Sequence, residues 1–365
     1  MALPTNKILL RSPYWITKSD PSLQYVLISL RIWNGAVADE PTEPTVRLRS
    51  TALNGVASID ISELARDYVE VTFVQGEESA AVLVSASVTS VNMDGEGTTD
   101  VTDYYLGIDG YGTFTDGSNY VMNKKILMST EKLSCYHEES IRVPVLAETY
   151  TGYRLQRKSY AGYSDFHTVT GLTPATNTAD AIDYVTTTHS GLFADRVVFE
   201  FSDVSDIVID VEYQECNKYG LTRCYFVNRF GAVQQFHFTG RYNLSISSKD
   251  TKYTRNILEN GGYDSTRHQQ YILSKNGKVD MELNTGWVPE KENDTFLELL
   301  MSEQIWLKID SSKFGVGIVP KESTFYTMPV TLTSKNLSIK NKINDKLINY
   351  SFKFEGANDF INSVR

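Results

Sequence analysis

Five histidines, His137, His167, His189, His237 and His268, are the first residues to weigh for chemistry in this chain, since an imidazole ligates metals and moves protons near neutral pH. They are scattered. Only His137-Glu138-Glu139 joins a histidine to acids, and neighbours along a strand point to opposite faces, so a solvated loop is the reading there. His237 stands between Phe236 and Phe238, which places it opposite the two rings as a polar outer-face residue. The run Asp109-Gly110-Tyr111-Gly112-Thr113-Phe114-Thr115-Asp116 looks like a calcium loop, but Tyr120 occupies the position where an EF-hand needs a bidentate glutamate. Asp94-Gly95-Glu96 is likewise ordinary turn chemistry. Gly110-x-Gly112 lacks the third glycine and following helix of a dinucleotide fingerprint, and no Gly-Lys-Ser/Thr phosphate loop occurs. Gly-x-Ser-x-Gly, His-Glu-x-x-His and a helical Ser-x-x-Lys are absent as well. A glycosidase needs only two carboxylates brought together in space, so that class stays open, although the 45 acids are spread in the manner of a solvated surface. The expectation is a protein without catalytic residues, cofactor or metal.

A different chemistry, that of contact, is offered by aromatic residues. Tyr104, Tyr105, Tyr111, Tyr120, Tyr150, Tyr153, Tyr160 and Tyr163 crowd the middle of the chain, and tyrosine supplies wide contact area with a polar end. Cross-strand pairing within hairpins explains them equally well. Tyr104, Tyr105, Tyr111, Tyr120, Tyr153, Tyr160 and Tyr163, with Phe360 and Ile361 near the C-terminus, are the candidate interface residues.

The elements that must position these residues are strands. Aromatics make up 12% of the 365 residues, Val, Ile and Thr are abundant, and helix-period runs are few. Leu23 to Trp33 is apolar on both alternating faces and reads as a strand covered on both sides. Ser58 to Leu64 couples a strand to a short helix capped by Ser62, with Leu64 and Tyr68 on one face. From Met93 to Asn119, Gly-Asp pairs break the chain into surface loops. Residues 171 to 191 read as a connection or arm with one helical turn at Ala179 to Val185. Asn260-Gly261-Gly262 is a turn, and Asn276-Gly277 a second one joining Tyr271–Leu273 to Val279–Leu283 as a hairpin. Two domains follow: a β-rich one over 1–190 with a loop-rich insertion at about 94–190, and a β-rich one over 191–365 with one amphipathic helix at about 292–302. The expected fold class is mainly β, with antiparallel β-sandwich-like units and a few short helices.

Net charge of −10 argues against a general nucleic-acid surface; Arg154-Leu155-Gln156-Arg157-Lys158 is a local basic run, best read as capping a solvated strand. Cys135, Cys216 and Cys224 are odd in number and lack Cys-x-x-Cys spacing, so neither a disulfide framework nor a zinc site is indicated. Met1 to Leu10 is too weakly apolar for a signal peptide, and no stretch reaches the length of a membrane span.

The segment around which the chain is organised runs from Tyr219 to Ser248, and within it two aromatic runs up to Gly240 flank Asn228-Arg229-Phe230-Gly231 as a hairpin. Thr285-Gly286-Trp287 follows, then a helix with Phe296, Leu299 and Leu300 on one face and Asn293 or Asp294 as its cap, then the strand Ile305 to Ile309. With Ser12-Pro13-Tyr14-Trp15-Ile16, Ile28 to Gly35 and Ile59 to Tyr68, this set resembles virion tail proteins of tailed phages infecting Bacteroidetes, the crAss-like phages included. The resemblance covers the two ends of the chain and is carried by packing residues, so it points to a fold lineage rather than a reaction. It implies a structural subunit of the tail or collar, self-associating into a ring or hub, with tail, portal and collar proteins as partners and neither specific nucleic-acid binding nor membrane insertion. Such a protein is made in the host bacterial cytoplasm and resides in the virion. The rival readings are a receptor- or carbohydrate-binding tail-tip or fibre protein and a tail-associated hydrolase.

Overall fold

The computed structural model describes residues 4, 6–69, 73, 81–100, 102–130, 132–136, 140–172, 182–187, 194–214, 221–310, 325–339 and 347–361. The chain is mainly β, with several antiparallel sheets and two short α-helices among these residues, Ser62–Arg66 and Asn293–Met301. It forms two compact units, Met1–Cys216 with Val227–Gln234, and Asn217–Phe226 with Gln235–Arg365.

The first unit begins with a six-stranded sheet in the order Asn6–Leu9, Asp103–Ile108, Ala81–Asn92, Leu23–Trp33, Val46–Thr51, with Gly97–Thr99 paired alongside Ala81–Asn92. Side-chain alternation sorts its two faces. Ile8, Val26, Ile28, Leu30, Val82 and Val84 pack against Ala57 and Ile59 of the two-stranded antiparallel sheet Trp15–Ser19/Val56–Asp60, a sandwich-like pair of layers. Leu9, Leu83, Leu106 and Ile108 point the other way, onto Met122, Leu127, Phe230 and Ala232. Ala81–Asn92 is covered on both sides over its first half, as are the ends of the neighbouring Asn6–Leu9 and Asp103–Ile108. Leu23–Trp33 is buried mainly on one face, and on the other Leu27 is exposed while Tyr25 lies under the Arg49 guanidinium, 3.9 Å from its ring centre. The helix at Ser62 is held by Asp60: its Oδ1 accepts from Ser62 N at 3.0 Å, Ser62 Oγ at 2.7 Å and Tyr14 N at 3.1 Å. Asp60 thus does the capping expected of Ser62, and Tyr68 is exposed.

A five-stranded sheet follows in the order Gly162–Val169, Tyr150–Ser159, Arg196–Phe201, Ile207–Gln214, Lys132–Tyr136. The pair Ile141–Leu146/Ile182–Thr187 covers it, burying Val143, Val145 and Val185 against Leu155, Val197, Phe199 and Ile209. Two expectations are corrected here. Of the helical turn expected at Ala179 to Val185, residues 179–181 lie outside the described residues and 182–185 form a strand, because Ile182 and Val185 have apolar seats opposite Leu146 and Val143. The units part at residue 216 rather than 190, because Arg196–Phe201 and Ile207–Gln214 pair with the earlier strands and complete their core.

The second unit is built on a seven-stranded sheet in the order Val233–Phe238, Thr222–Val227, Ile305–Asp310, Phe325–Leu332, Ser351–Gly356, Gln270–Asn284, Tyr242–Thr254. It curls: Phe238 on the first strand lies 5.7 Å from Phe354 four strands away, and Gly240 N donates to Asn284 O at 2.9 Å. The Asn293–Met301 helix fills the concave side with Phe296 and Leu299. Leu300, expected on that face, is only half-buried, while Thr295 and Glu298 are buried. No side chain caps the helix; a 3-10 turn, Glu290–Glu292, leads into it, and Asn293 Oδ1 instead accepts from Tyr350 Oη at 2.7 Å.

The turn joining Thr222–Val227 to Val233–Phe238 belongs to the first unit. Two glycines let it approach there. Gly231 has φ +73, and a Cβ on it would lie 2.5 Å from Ile108 Cγ2; a Cβ on Gly110 would lie 2.5 Å from Arg229 O. Gly231→Ala therefore combines left-handed backbone strain with overpacking, and a loss of about 2–3 kcal/mol is expected in urea unfolding. An unchanged midpoint would show that the turn can move away at no penalty.

Candidate interaction surface

Tyr242–Thr254 and Gln270–Asn284 pair in register from Tyr242 opposite Leu283 to Thr254 opposite Gln270. Near the base, Leu244, Val279, Met281 and Leu283 face the core of the second unit. Further out, the positions on that face are Ser248, Gly277, Asp250 and Lys275, none of which has a large apolar group to bury, so the ribbon leaves the core. The residues from Ser247 to Thr254 extend it by roughly 27 Å at about 3.4 Å per residue, and all eight are exposed. Its tip is a tight turn in which Asn260 and Gly261 take φ of 51° and 80° and Glu259 and Gly262 exchange backbone hydrogen bonds at 2.8 and 3.1 Å.

This arm carries apolar groups into water. Ile246, Tyr253, Leu258, Tyr263, Ile272 and Leu273 are exposed, Leu273 to 71%. A register shift between Thr251 and Lys252 leaves Leu273 as the extra residue of a bulge, which turns it outward. Beyond the bulge Tyr253 and Tyr271 are direct partners with ring centres 5.9 Å apart, the Arg255 guanidinium lies 4.0 Å above the Tyr271 ring, and the His268 ring is 6.5 Å from it. At the arm's root the C-terminal residues tie on: Phe360 N donates to Gly277 O at 2.7 Å, Asn276 Oδ1 accepts from Ile361 N at 3.0 Å, and Asn276 Nδ2 donates to Asp359 Oδ2 at 2.9 Å.

Sequence reading finds the Asn260-Gly261-Gly262 turn but misses the arm, because it places a second turn at Asn276-Gly277. Those two residues lie inside a strand, opposite Lys249 and Ser248. The signal that was present is the pair of long runs flanking Asn260-Gly261-Gly262; their polar, irregular alternation conceals them.

The structure scatters the expected interface residues. Tyr105 is 5% exposed and stacks edge-on to Tyr14 at 5.3 Å within the core of the six-stranded sheet, where burial pushes its phenol above the usual range. It therefore presents no contact surface. Tyr104 is half-buried, with Oη donating to Glu40 Oε2 at 3.1 Å; Tyr120 and Tyr153 are half-buried against core clusters. Tyr111 lies under the Arg11 guanidinium at 4.9 Å, and Tyr163 under that of Arg196 at 3.7 Å. Tyr160 is fully exposed, at the turn between Tyr150–Ser159 and Gly162–Val169. Phe360 and Ile361 keep exposed side chains while their backbone is fastened to the arm's root.

Asp109, Asp116 and His237, weighed above for ion binding or proton chemistry, have partners within the fold. Asp109 pairs with Arg66 at 3.1 Å. Asp116 accepts from the Thr113 hydroxyl at 2.8 Å, Thr113 N at 2.6 Å and Arg229 at 3.1 Å, and these donors hold its carboxyl below the ordinary carboxylate range. The sign follows from that depression: the stabilisation is present above the unfolded value of about 3.9 and is lost as pH falls through the lower folded value. Asp116→Asn is expected to flatten the acid limb of stability against pH, followed by urea midpoints between about pH 4 and 2; an acid limb identical to wild type would show these contacts to be neutral. His237, expected on a solvated face, is buried beside Gln235, whose Nε2 lies 2.7 Å from His237 Nε2. Cys135 and Cys224 are buried, and burial pushes the Cys224 thiol well up. His137, His189 and Cys216 lie outside the described residues. Among the described residues no three His, Cys, Asp or Glu side chains are placed to hold a metal ion, and no helix is long and apolar enough to cross a membrane.

Neither a protein-family model nor a curated protein matches this sequence. Among solved structures, the fibronectin(III)-like modules of Clostridium thermocellum CbhA are similar at 10% identity over 58% of this chain and 91% of that one, with a TM-score of 0.16. The periplasmic chaperone SfaE is similar at 12% identity over 55% and 89%, also with a TM-score of 0.16. At that score neither likeness bears on fold or function.

Proposed function

We propose that this chain is a structural subunit of a tailed-phage virion, forming a ring or hub in the tail or collar by associating with further copies of itself around the tail axis. The arm carries this reading. A two-stranded ribbon wetted on both faces is marginally stable alone, and one that holds Ile246, Tyr253, Ile272 and Leu273 in water is accounted for by a surface that assembly covers. The resemblance of the Tyr219–Gly240 hairpin, the Thr285-Gly286-Trp287 motif and the helix after it to phage tail proteins supplies the setting. In that role the chain meets other tail, portal or collar proteins and performs assembly in place of catalysis. Its acidic balance suits a conduit that does not retain passing phosphates. Quantitative mass spectrometry of purified particles tests the proposal: the chain is expected at a fixed multiple per virion, and its absence from particles overturns the reading.

A further inference from the structure

We infer that the arm docks on the acidic surface of a second copy of this chain, in a head-to-tail contact whose strength depends on salt. This rests on the structural-subunit reading and names the partner of its contact surface.

Charge distinguishes the arm from the rest of the molecule. Residues 249–278 hold six Lys and Arg (Lys249, Lys252, Arg255, Arg267, Lys275 and Lys278) against three acids (Asp250, Glu259 and Asp264), a net of +3 on a chain of −10. The remainder therefore carries −13, that is −10 less +3. The three acids are already engaged within the arm: Asp250 pairs with Lys252 at 3.2 Å, Glu259 with Arg267 at 2.7 Å, and Asp264 accepts from Thr266 N at 2.9 Å and Thr266 Oγ1 at 2.7 Å. Lys278, at the arm's root, pairs with Glu355 at 2.5 Å, whereas among the described residues no carboxylate pairs with Lys249 or Lys275. The outward field of the arm is thus positive, and beneath it sit the anchors that contacts favour: the Tyr253/Tyr271 pair, the stacked Arg255 and the outward Leu273.

The same charges decide the mode of association. Two arms laid against each other across a two-fold axis would bring like charges together, which disfavours that arrangement. An arm set on the acidic remainder of a neighbour brings opposite charges together and uses two different surfaces, the kind of contact that propagates around a ring. Electrostatic complementarity of this sort acts on encounter rate and register and weakens as ionic strength rises.

The experiment is sedimentation velocity of the purified full chain at about 50 mM and 500 mM NaCl, beside Lys249→Glu/Lys252→Glu/Lys275→Glu and Tyr253→Ala/Leu273→Ser. All five positions are exposed, so both variants should melt like wild type, and circular dichroism verifies this. Wild type is expected to form oligomers that weaken with salt. The charge variant should weaken association by about tenfold or more and blunt its salt dependence, and the apolar variant should weaken association while keeping that dependence. Variants that assemble like wild type, a wild-type chain monomeric at its highest soluble concentration, or oligomers that appear only with added DNA would each overturn the inference. Presence in particles together with any of these results would leave the structural-subunit reading standing; absence from particles with arm-dependent oligomers would remove that reading alone.

Discussion

Phe296→Asp is expected to leave the second unit unfolded at room temperature. Phe296 is fully buried where the curled sheet closes on its helix, with ring centres 5.1 Å from Phe236, 5.1 Å from Tyr350 and 5.7 Å from Phe352. Truncation to alanine removes that burial and leaves a cavity, a loss of about 3–5 kcal/mol, to which the lost aromatic pairs add about 0.5–1.5 kcal/mol apiece. Aspartate adds a carboxylate among Phe236, Phe352, Leu299 and Leu307. Its desolvation, without a partner, carries the total into the range of a whole domain's stability, about 5–15 kcal/mol. Leu300→Asp is the internal contrast: that side chain is only half-buried, so a loss of about 1–2 kcal/mol is expected. Limited proteolysis mapped by mass spectrometry separates the outcomes. Phe296→Asp should open cleavage across 235–361 while the first unit stays resistant, and an intact second unit would show that the helix is not its keystone.

What the sequence revealed and what it concealed both have physical causes. Alternation over Val82, Val84 and Val88, the Asn228-to-Gly231 turn and the i, i+3 spacing of Phe296 and Leu299 are local signals, and the strands and helix they specify are present. Thr285 in the Thr-x-Trp motif proves fully buried, its backbone N donating to Tyr350 O at 2.9 Å and its Oγ1 accepting from Tyr350 N at 3.0 Å, a role for threonine that no spacing rule announces. Non-local pairings were illegible. Whether Arg196–Phe201 joins earlier or later strands depends on which edge has an apolar seat for Val197 and Phe199, and only the fold answers that. The arm was hidden for the opposite reason: with no core to face, its outer strands lack the apolar alternation by which strands are recognised. Tyr105 shows the limit of composition, since a tyrosine suited to an interface serves a core as readily when a second phenol, that of Tyr14, meets its hydroxyl.

Asn228→Ala is expected to destabilise the first unit by about 3–6 kcal/mol, because a single fully buried amide organises the turn there. Its Nδ2 donates to Leu127 O at 2.6 Å and to Gln234 Oε1 at 3.1 Å; its Oδ1 accepts from Phe230 N at 3.0 Å and Ala232 N at 3.1 Å. Alanine leaves two backbone N–H groups, the Leu127 carbonyl and the Gln234 amide oxygen without these partners beside Phe230 and Ala232, which belong to the core under the six-stranded sheet. Each buried group left unpaired costs about 1–3 kcal/mol, and relaxation around the smaller side chain keeps the sum below simple addition. Asn228→Asp distinguishes donor from acceptor. It keeps both bonds accepted from the turn but turns a second anionic oxygen toward Leu127 O in a site without solvent, so a loss as large as that of alanine is expected from a nearly isosteric change. Asn256→Ala, at an exposed asparagine on the arm that accepts only from Leu258 N, should fall within about 1 kcal/mol of wild type. Equilibrium urea unfolding compares the three, and Asn228 variants that unfold alongside the Asn256 control would mean that the turn is held by its glycines and by Phe230 packing alone.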